Sequence, residues 1–297
     1  MTKIESFHQP QNLQEALTLL AFLVNPKVIA GGTDLMAQMH RDEHIERLRK
    51  RPAKPWMLQP LQIVDVSRIA ELHFISVRDC TVSLGPLLKH DEIVNNETLR
   101  EKIPFLGEAS GKVGSQQIRN VGTVGGNICN GSPCADTVPP LLCLRAEITL
   151  QSVKGERKMA LQSFFTGAQE TLLCKDELLT KIEFRVPEGE TAQFFYKLGQ
   201  RKGAAIAKLN VAFLAVKEKK RLRDVRIALG AVGATPIVAE KTARFLSGRQ
   251  ISESIIAEAK SICSNEAQPI TDIRSTREYR RAMTGELLAM GLQSFLS

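Results

Sequence analysis

The stretch Arg119–Asp136, R-N-V-G-T-V-G-G-N-I-C-N-G-S-P-C-A-D, restricts the fold more than any other part of the chain. It gathers turn-forming residues around Gly125-Gly126 and leads into an apolar run, Val138 to Leu144. A second glycine pair lies far upstream, in Ala30-Gly31-Gly32-Thr33-Asp34, straight after the short apolar run Val28-Ile29. Glycine tolerates positive φ and lets backbone approach a partner closely, so each pair suits a turn that presents N–H groups. Thr33 and Thr123 stand beside the pairs, each with a hydroxyl able to add one donor. The shared logic points to two loops that meet and hold one anionic ligand, a diphosphate above all. Asn127 adds an amide donor, and Asp136 an acceptor better suited to a ribose hydroxyl or a ring N–H. The upstream pair is no dinucleotide fingerprint. G-G-T-D lacks the G-x-G-x-x-G spacing, and it comes after a helical pattern rather than before one.

A length of 297 residues allows two domains or one large one, and 43% hydrophobic residues allow a sizeable core. The net charge of +8 concentrates in Arg47–Lys54 and in Lys217–Arg226, the second reading as a hairpin turn. With 5% aromatics and no aromatic–basic interleaving, the charge reads as surface charge and not as a nucleic-acid site. The start, M-T-K-I-E-S-F, has no apolar segment of the secretory kind, and no run approaches the ~18 apolar residues of a membrane span, so a cytoplasmic protein is expected. The six cysteines, expected reduced and mostly buried, include no C-x-x-C pair. The spacing of Cys129, Cys134 and Cys143 fits no zinc or iron–sulfur ligand pattern, so no metal is assigned to this chain. His40-Arg41-Asp42-Glu43-His44 spells H-x-x-E-H, but its basic, proline-broken surroundings read as a solvated loop.

Asn12 caps a helix ended by Asn25-Pro26, and residues 27–30 read as a buried strand. After Leu35 the pattern dissolves. Strands follow at 62–66, 73–77 and 81–85, helices at 90–94 and 103–113, a central loop at 119–127, and strands at 146–151 and 178–186. Pro187-Glu188-Gly189 marks a domain boundary. Beyond it come strands at 194–198, 204–216 and 224–232, then a helical tail. A sheet followed by helices predicts an α+β C-terminal domain. At most two of Phe194, Phe195 and Tyr196 share a strand face, and one of them is a candidate cover for a flat ligand.

These residues carry a resemblance. V-I-A-G-G-T-D-L (Val28–Leu35) and Q-I-R-N-V-G-T-V-G-G-N-I (Gln117–Ile128) resemble the two flavin loops of the FAD-binding medium subunit of the molybdenum hydroxylase family. That group includes bacterial xanthine dehydrogenase, carbon monoxide dehydrogenase and nicotinate dehydrogenase. D-E-L-L (Asp176–Leu179), F-Y-K-L-G-Q-R (Phe195–Arg201), D-V-R-I-A-L-G-A-V-G-A-T-P (Asp224–Pro236) and Y-R-R (Tyr279–Arg281) extend it over essentially the whole chain. The resemblance implies an α+β fold: a two-lobed FAD-binding domain of the vanillyl-oxidase type over residues 1–187, with lobes of about 1–58 and 59–187, then a smaller α+β domain over 188–297. It implies that FAD takes electrons from [2Fe–2S] clusters on a small partner subunit, fed by a molybdopterin centre on a large one, and passes them to NAD or another acceptor. A xanthine dehydrogenase-like enzyme is the default, in a heterotrimeric assembly.

Carried over residue by residue, Val28, Ile29, Ala30, Gly31, Gly32, Thr33, Asp34 and Leu35, with Gly122, Thr123, Val124, Gly125 and Gly126, would hold the pyrophosphate and its flanks. Asn127, Asn130 and Asp136 would line the same site together with Thr123. Leu178 and Leu179 would touch the cofactor through backbone and side chain. Lys197 would stand near the isoalloxazine, where a cation favours a reduced, anionic flavin. Two departures stand out. The His40–Pro55 stretch is longer than the family's usual length there, and the four-cysteine cluster insertion of 4-hydroxybenzoyl-CoA reductase is missing between Asn130 and Asp136. The alternative is a free-standing flavin reductase of the UDP-N-acetylenolpyruvoylglucosamine reductase type, against which the Q-I-R-N, T-V-G-G-N and Y-R-R matches speak.

Overall fold

The computed structural model describes residues 4–39, 59–201, 203–219 and 221–295. The H-x-x-E-H motif, the whole His40–Pro55 stretch and residue 58 itself lie outside the described residues, while Leu61–Asp65, expected in the second lobe, pairs with strands of the first.

The first lobe is a three-stranded parallel sheet in the order Ile4–His8, Leu61–Asp65, Pro26–Ile29. Parallel strands need a crossover; the helix Leu13–Phe22, with Asn12 accepting from Glu15 N as its N-cap, carries the chain from Ile4–His8 to Pro26–Ile29, the two strands that flank Leu61–Asp65. Ala16, Leu17 and Leu20 from that helix pack on Val64, Val66, Ile69 and Leu72.

The second lobe is an antiparallel sheet ordered Ile75–Arg78, Thr81–Leu84, Leu178–Arg185, Glu147–Ser152, Gly155–Ala160. Between its second and fourth strands runs a chain of short helices: His90–Asn95, Glu97–Lys102, Pro104–Gly111, Gln116–Arg119, Val124–Cys129 and Val138–Cys143. The last three replace the single central loop and bare apolar run expected from the sequence. The glycines of 125–126 are helical because Thr123 caps them, and Pro139-Pro140 sits in a first turn, where a proline's missing N–H costs nothing.

Leu178 and Leu179 open the long central strand. Their side chains diverge, as successive strand residues must. Leu178 enters the core around Ala16 and Leu17, and Leu179 the core around Val124 and Ile128.

Residues Thr191–Leu198, Leu209–Glu218, Arg221–Gly230 and Ile237–Val238 form a second antiparallel sheet in sequence order. The strand expected at 204–216 starts later, at Leu209, and the basic segment is a hairpin pairing Glu218 with Arg221. Leu209 to Val216 is buried throughout because both sheet faces are covered. Val211, Phe213 and Leu229 face the helices Glu240–Leu246, Glu253–Glu266 and Arg277–Gln293. Phe195, Ala212, Leu214 and Ala228 face the second lobe and share its core. This second face carries the polar row described next. Two of the six cysteines, Cys143 and Cys263, are buried; Cys80, Cys129 and Cys134 are half-buried and Cys174 is exposed, so burial is less general than expected.

Candidate functional site

The strand Pro26–Ile29 delivers the first glycine turn against the second lobe. A Cβ on Gly31 would lie 2.0 Å from Val121 O and 2.9 Å from Gly122 Cα, so the two loops meet, and only a bare α-carbon fits the seam. Gly32 takes φ +68°, in the left-handed region. Thr33 Oγ1 lies 3.5 Å from where a Gly122 Cβ would stand. Residues 35–39 are helical, so the glycine turn sits between strand and helix, correcting the expectation that the pattern dissolves there. Among the described residues, no protein acceptor takes the N–H groups of Gly31, Gly32, Thr33 or Asp34. The Asp34 carboxylate accepts from Gln38 Nε2. Val28 is exposed, while Ile29 and Leu35 pack on Met39, Leu61 and Ile63, and Ala30 on the Leu17 core.

The second glycine turn uses its amides internally. Gly122 N donates to Ile118 O at 2.7 Å, Val124 N to Leu88 O at 2.9 Å and Gly125 N to Pro86 O at 2.9 Å. Gly126 N donates to Thr123 Oγ1 and Asn127 N to Thr123 O, each at 3.0 Å. A Cβ on Gly125 would fall 2.4 Å from Pro86 Cβ. The expected nest of free backbone donors is thus present in the first turn; in the second, among the described residues from Gly122 to Asn127, Thr123 alone keeps a backbone N–H without an acceptor, besides its hydroxyl proton. His90, 2% exposed, donates its backbone N–H to Gly122 O and leaves Nδ1 without a partner among the described residues. Burial, then the Arg119 charge, lower its pKa to about 4, so the ring is neutral at neutral pH.

Further along, Asn127 Oδ1 accepts from Thr137 Oγ1 at 2.7 Å, next to Asp136. Asp136 is buried and receives two donors from the second sheet: Lys197 Nζ at 2.5 Å and Asn210 Nδ2 at 3.1 Å. Lys197 Nζ also donates to Lys112 O, 2.8 Å away at the end of the helix Pro104–Gly111, where the helix dipole favours a cation. Lys197 is therefore no surface lysine; its side chain is 7% exposed. Two of its three N–H donors are engaged. Burial pushes the Asp136 carboxyl up to about 6, and Lys197 and Asn210 pull against that rise. The ligand-facing acceptor expected at Asp136 is thus shared with protein donors. Asn130 caps the end of Val124–Cys129, and the side chains of Leu178 and Leu179 belong to the cores.

A cleft of about 1100 Å³ opens between the second lobe and the second sheet. Arg100, Glu108, Lys112, Tyr196, Lys197 and Arg201 are among its lining residues. The helix His90–Asn95 ties the glycine seam to it. His90 touches the seam, and Val94, one turn or ~6 Å on, lines the cleft. Of the three consecutive aromatics, Phe194 packs on Gly291, Phe195 enters the second-lobe core, and Tyr196 is 41% exposed at the cleft. The donor set fits FAD: unpaired amides in one turn for a diphosphate, then a buried cation on a large cleft. His90, Lys112 and Asn210 escaped the sequence reading. Only Asn210 left a trace, as the lone amide in the apolar run L-N-V-A-F-L-A-V.

Comparison with known proteins bears on this arrangement. The family described as FAD binding domain in molybdopterin dehydrogenase matches residues 2–188, and the CO dehydrogenase flavoprotein C-terminal domain matches 194–295. The glyceraldehyde dehydrogenase medium chain of Sulfolobus acidocaldarius is 31% identical over 277 residues, 93% of this chain and 92% of that one. The xanthine dehydrogenase FAD-binding subunit of Escherichia coli O157:H7 is 27% identical over 282 residues, 94% of this chain and 92% of that one. Carbon monoxide dehydrogenase from Hydrogenophaga pseudoflava, a solved structure, superposes with a TM-score of 0.87 at 27% identity, covering 99% of this chain and 97% of its counterpart. Among the described residues no helix is long and apolar enough to cross a membrane.

Proposed function

From the premise that this chain belongs to the FAD-binding medium subunits of the molybdenum hydroxylase family, we propose that it carries electrons from an iron–sulfur partner to an acceptor at the Lys197 cleft. FAD, when bound, supplies the redox chemistry, because its ring exchanges electrons singly or in pairs. The amides of Gly31, Gly32, Thr33 and Asp34 hold the diphosphate, helped by the Thr33 and Thr123 hydroxyls. Asn127, Asn130 and Asp136 flank it, with the remaining positions of Val28–Leu35 and Gly122–Gly126 shaping the walls and Leu178 and Leu179 backing them. Lys197 gives its third N–H to the cleft, where a fixed cation stabilises negative charge that develops nearby. Tyr196, at the cleft mouth, screens the site from water and sets which acceptor enters.

A small subunit with [2Fe–2S] clusters and a large one with molybdopterin complete the proposed cytoplasmic assembly, with a domain division at Pro187–Gly189 in this chain. NAD is the proposed acceptor and a purine the proposed substrate, with an aldehyde as the competing one because the relatives differ in what their names say they act on. The free amides at the seam carry the reading. The free-standing reductase finds no support in the matched families.

The first test is the visible spectrum of the purified 297-residue chain, then the pigment freed by denaturation. A flavin spectrum with free FAD in the supernatant supports the proposal. A chain that stays colourless after refolding with FAD, alone and with its partner subunits, overturns it. Stopped-flow mixing of the reduced, partner-loaded protein with NAD decides the acceptor.

A further inference from the structure

Lys197, Asn210 and Gly230 are paired directly across three neighbouring strands. They form one row on the face that meets the second lobe, next to the apolar row of Phe195, Ala212 and Ala228. Asn210 is 0% exposed among apolar neighbours. Its Nδ2 donates to Asp136 Oδ1, and its Oδ1 has no partner among the described residues. Leaving a buried acceptor unpaired costs its full desolvation, so a plain core position would carry leucine or valine. Gly230 makes the room: a Cβ there would lie 2.1 Å from Asn210 Oδ1. Two positions of a tight apolar sheet thus depart from apolar packing, and both departures serve one hydrogen bond to Asp136.

We infer that Asn210 is a positioning residue for the Lys197 site: its amide, seated over Gly230, orients the Asp136 carboxylate and so fixes the Lys197 ammonium with one N–H left for the cleft. Without that amide the carboxylate keeps a single side-chain donor, and its rotation is free to draw Lys197 away from Lys112 O. The inference rests on the function proposed above in assigning a flavin to that N–H; the hydrogen-bond geometry itself does not. The charged and titratable groups around Asp136 are Lys197 on the first strand of the sheet, Cys134 on its own loop, and Arg274 and Arg280, which face Cys134. The folded Asp136 titrates higher than an ordinary aspartate. The chain is therefore stabler with it protonated, and loses that increment as pH rises from about 4 through about 6. A hydrogen bond to the charged form lowers the value, so removing Asn210 raises it further.

The test titrates the Asp136 carboxyl by carbon-13 NMR in the full 297-residue chain without flavin, assigned by its loss in Asp136→Asn. Asn210→Leu, close to isosteric, moves the midpoint upward by about one pH unit. Gly230→Ala, which displaces the amide without removing it, moves it the same way. In flavin-loaded protein the inflection in the pH profile of FAD affinity moves with it, and Asp136→Asn abolishes that inflection in both backgrounds. An unmoved midpoint in either folded variant overturns the inference. Failure of the unsubstituted chain to bind FAD overturns the function proposed above, while the carboxyl titration still decides Asn210.

Discussion

The two glycine turns look alike in the sequence and do opposite work in the structure. In the upstream turn, Gly31 lets one lobe touch the other, and the amides from Gly31 to Asp34 find no acceptor among the described residues. In the downstream turn, the amides of Gly122, Gly125 and Gly126 hold the protein to itself, through Ile118, Pro86 and Thr123. A glycine pair beside a threonine is thus compatible with a donor surface or with a packing joint. The choice is made by what lies within 3 Å, which no local motif encodes.

Alanine substitutions would sharpen or break this contrast. The largest effect is expected from Gly31→Ala, where 2.0 Å to Val121 O leaves a methyl no room. Prising the loops apart lowers FAD affinity about 100-fold, or about 2.7 kcal/mol, read by fluorescence titration of the refolded apoprotein. Gly125→Ala drives a Cβ into Pro86. It costs about 2–3 kcal/mol of stability in urea unfolding, and, because Gly125 only shapes a wall of the proposed site, it lowers FAD affinity of the folded fraction less than Gly31→Ala does. A loss of affinity as large as that of Gly31→Ala would mean that the two turns hold the ligand equally. Thr123→Ala removes an N-cap at a cost of about 1 kcal/mol, and Thr123→Ser restores most of it. Gly126→Ala is the mildest. The position is exposed and helical, so a gain of up to about 1 kcal/mol in helix propensity is offset by a 3.0 Å approach to Thr123 Oγ1, and the unfolding midpoint barely moves.

Much of the architecture was legible because alternation and capping are local. Asn12, Pro26 and the strand at 178–186 read directly as elements, and so did the helical tail. The meeting of the glycine turns was legible too, since both turns ask for the same chemistry. The helix Val124–Cys129 was not, because its glycines argue against a helix that the bonds from Val124 N to Leu88 O and Gly125 N to Pro86 O nevertheless secure, nor was Gln116–Arg119, a single turn too short to show a period. The Asp136 cluster was legible only in part. Asp136 was named from its side-chain chemistry and Lys197 through family resemblance, but their pairing depends on a strand register that places Asn210 between Lys197 and Gly230. His90 gave no signal at all, since a histidine opening a helix is unremarkable until Gly122 is seen beside it.

The divergence of Leu178 and Leu179 has a mechanical consequence. Two adjacent residues of one strand are anchored in different walls, so a single peptide link joins the lobes where a hinge would otherwise lie. Pulling the walls apart would extract one leucine or the other from a dry core, at about 2–3 kcal/mol for each side chain. The lobes therefore behave as one bent beam and not as the covers of a book. A ligand bound along the seam, as proposed, would come and go without the two walls parting.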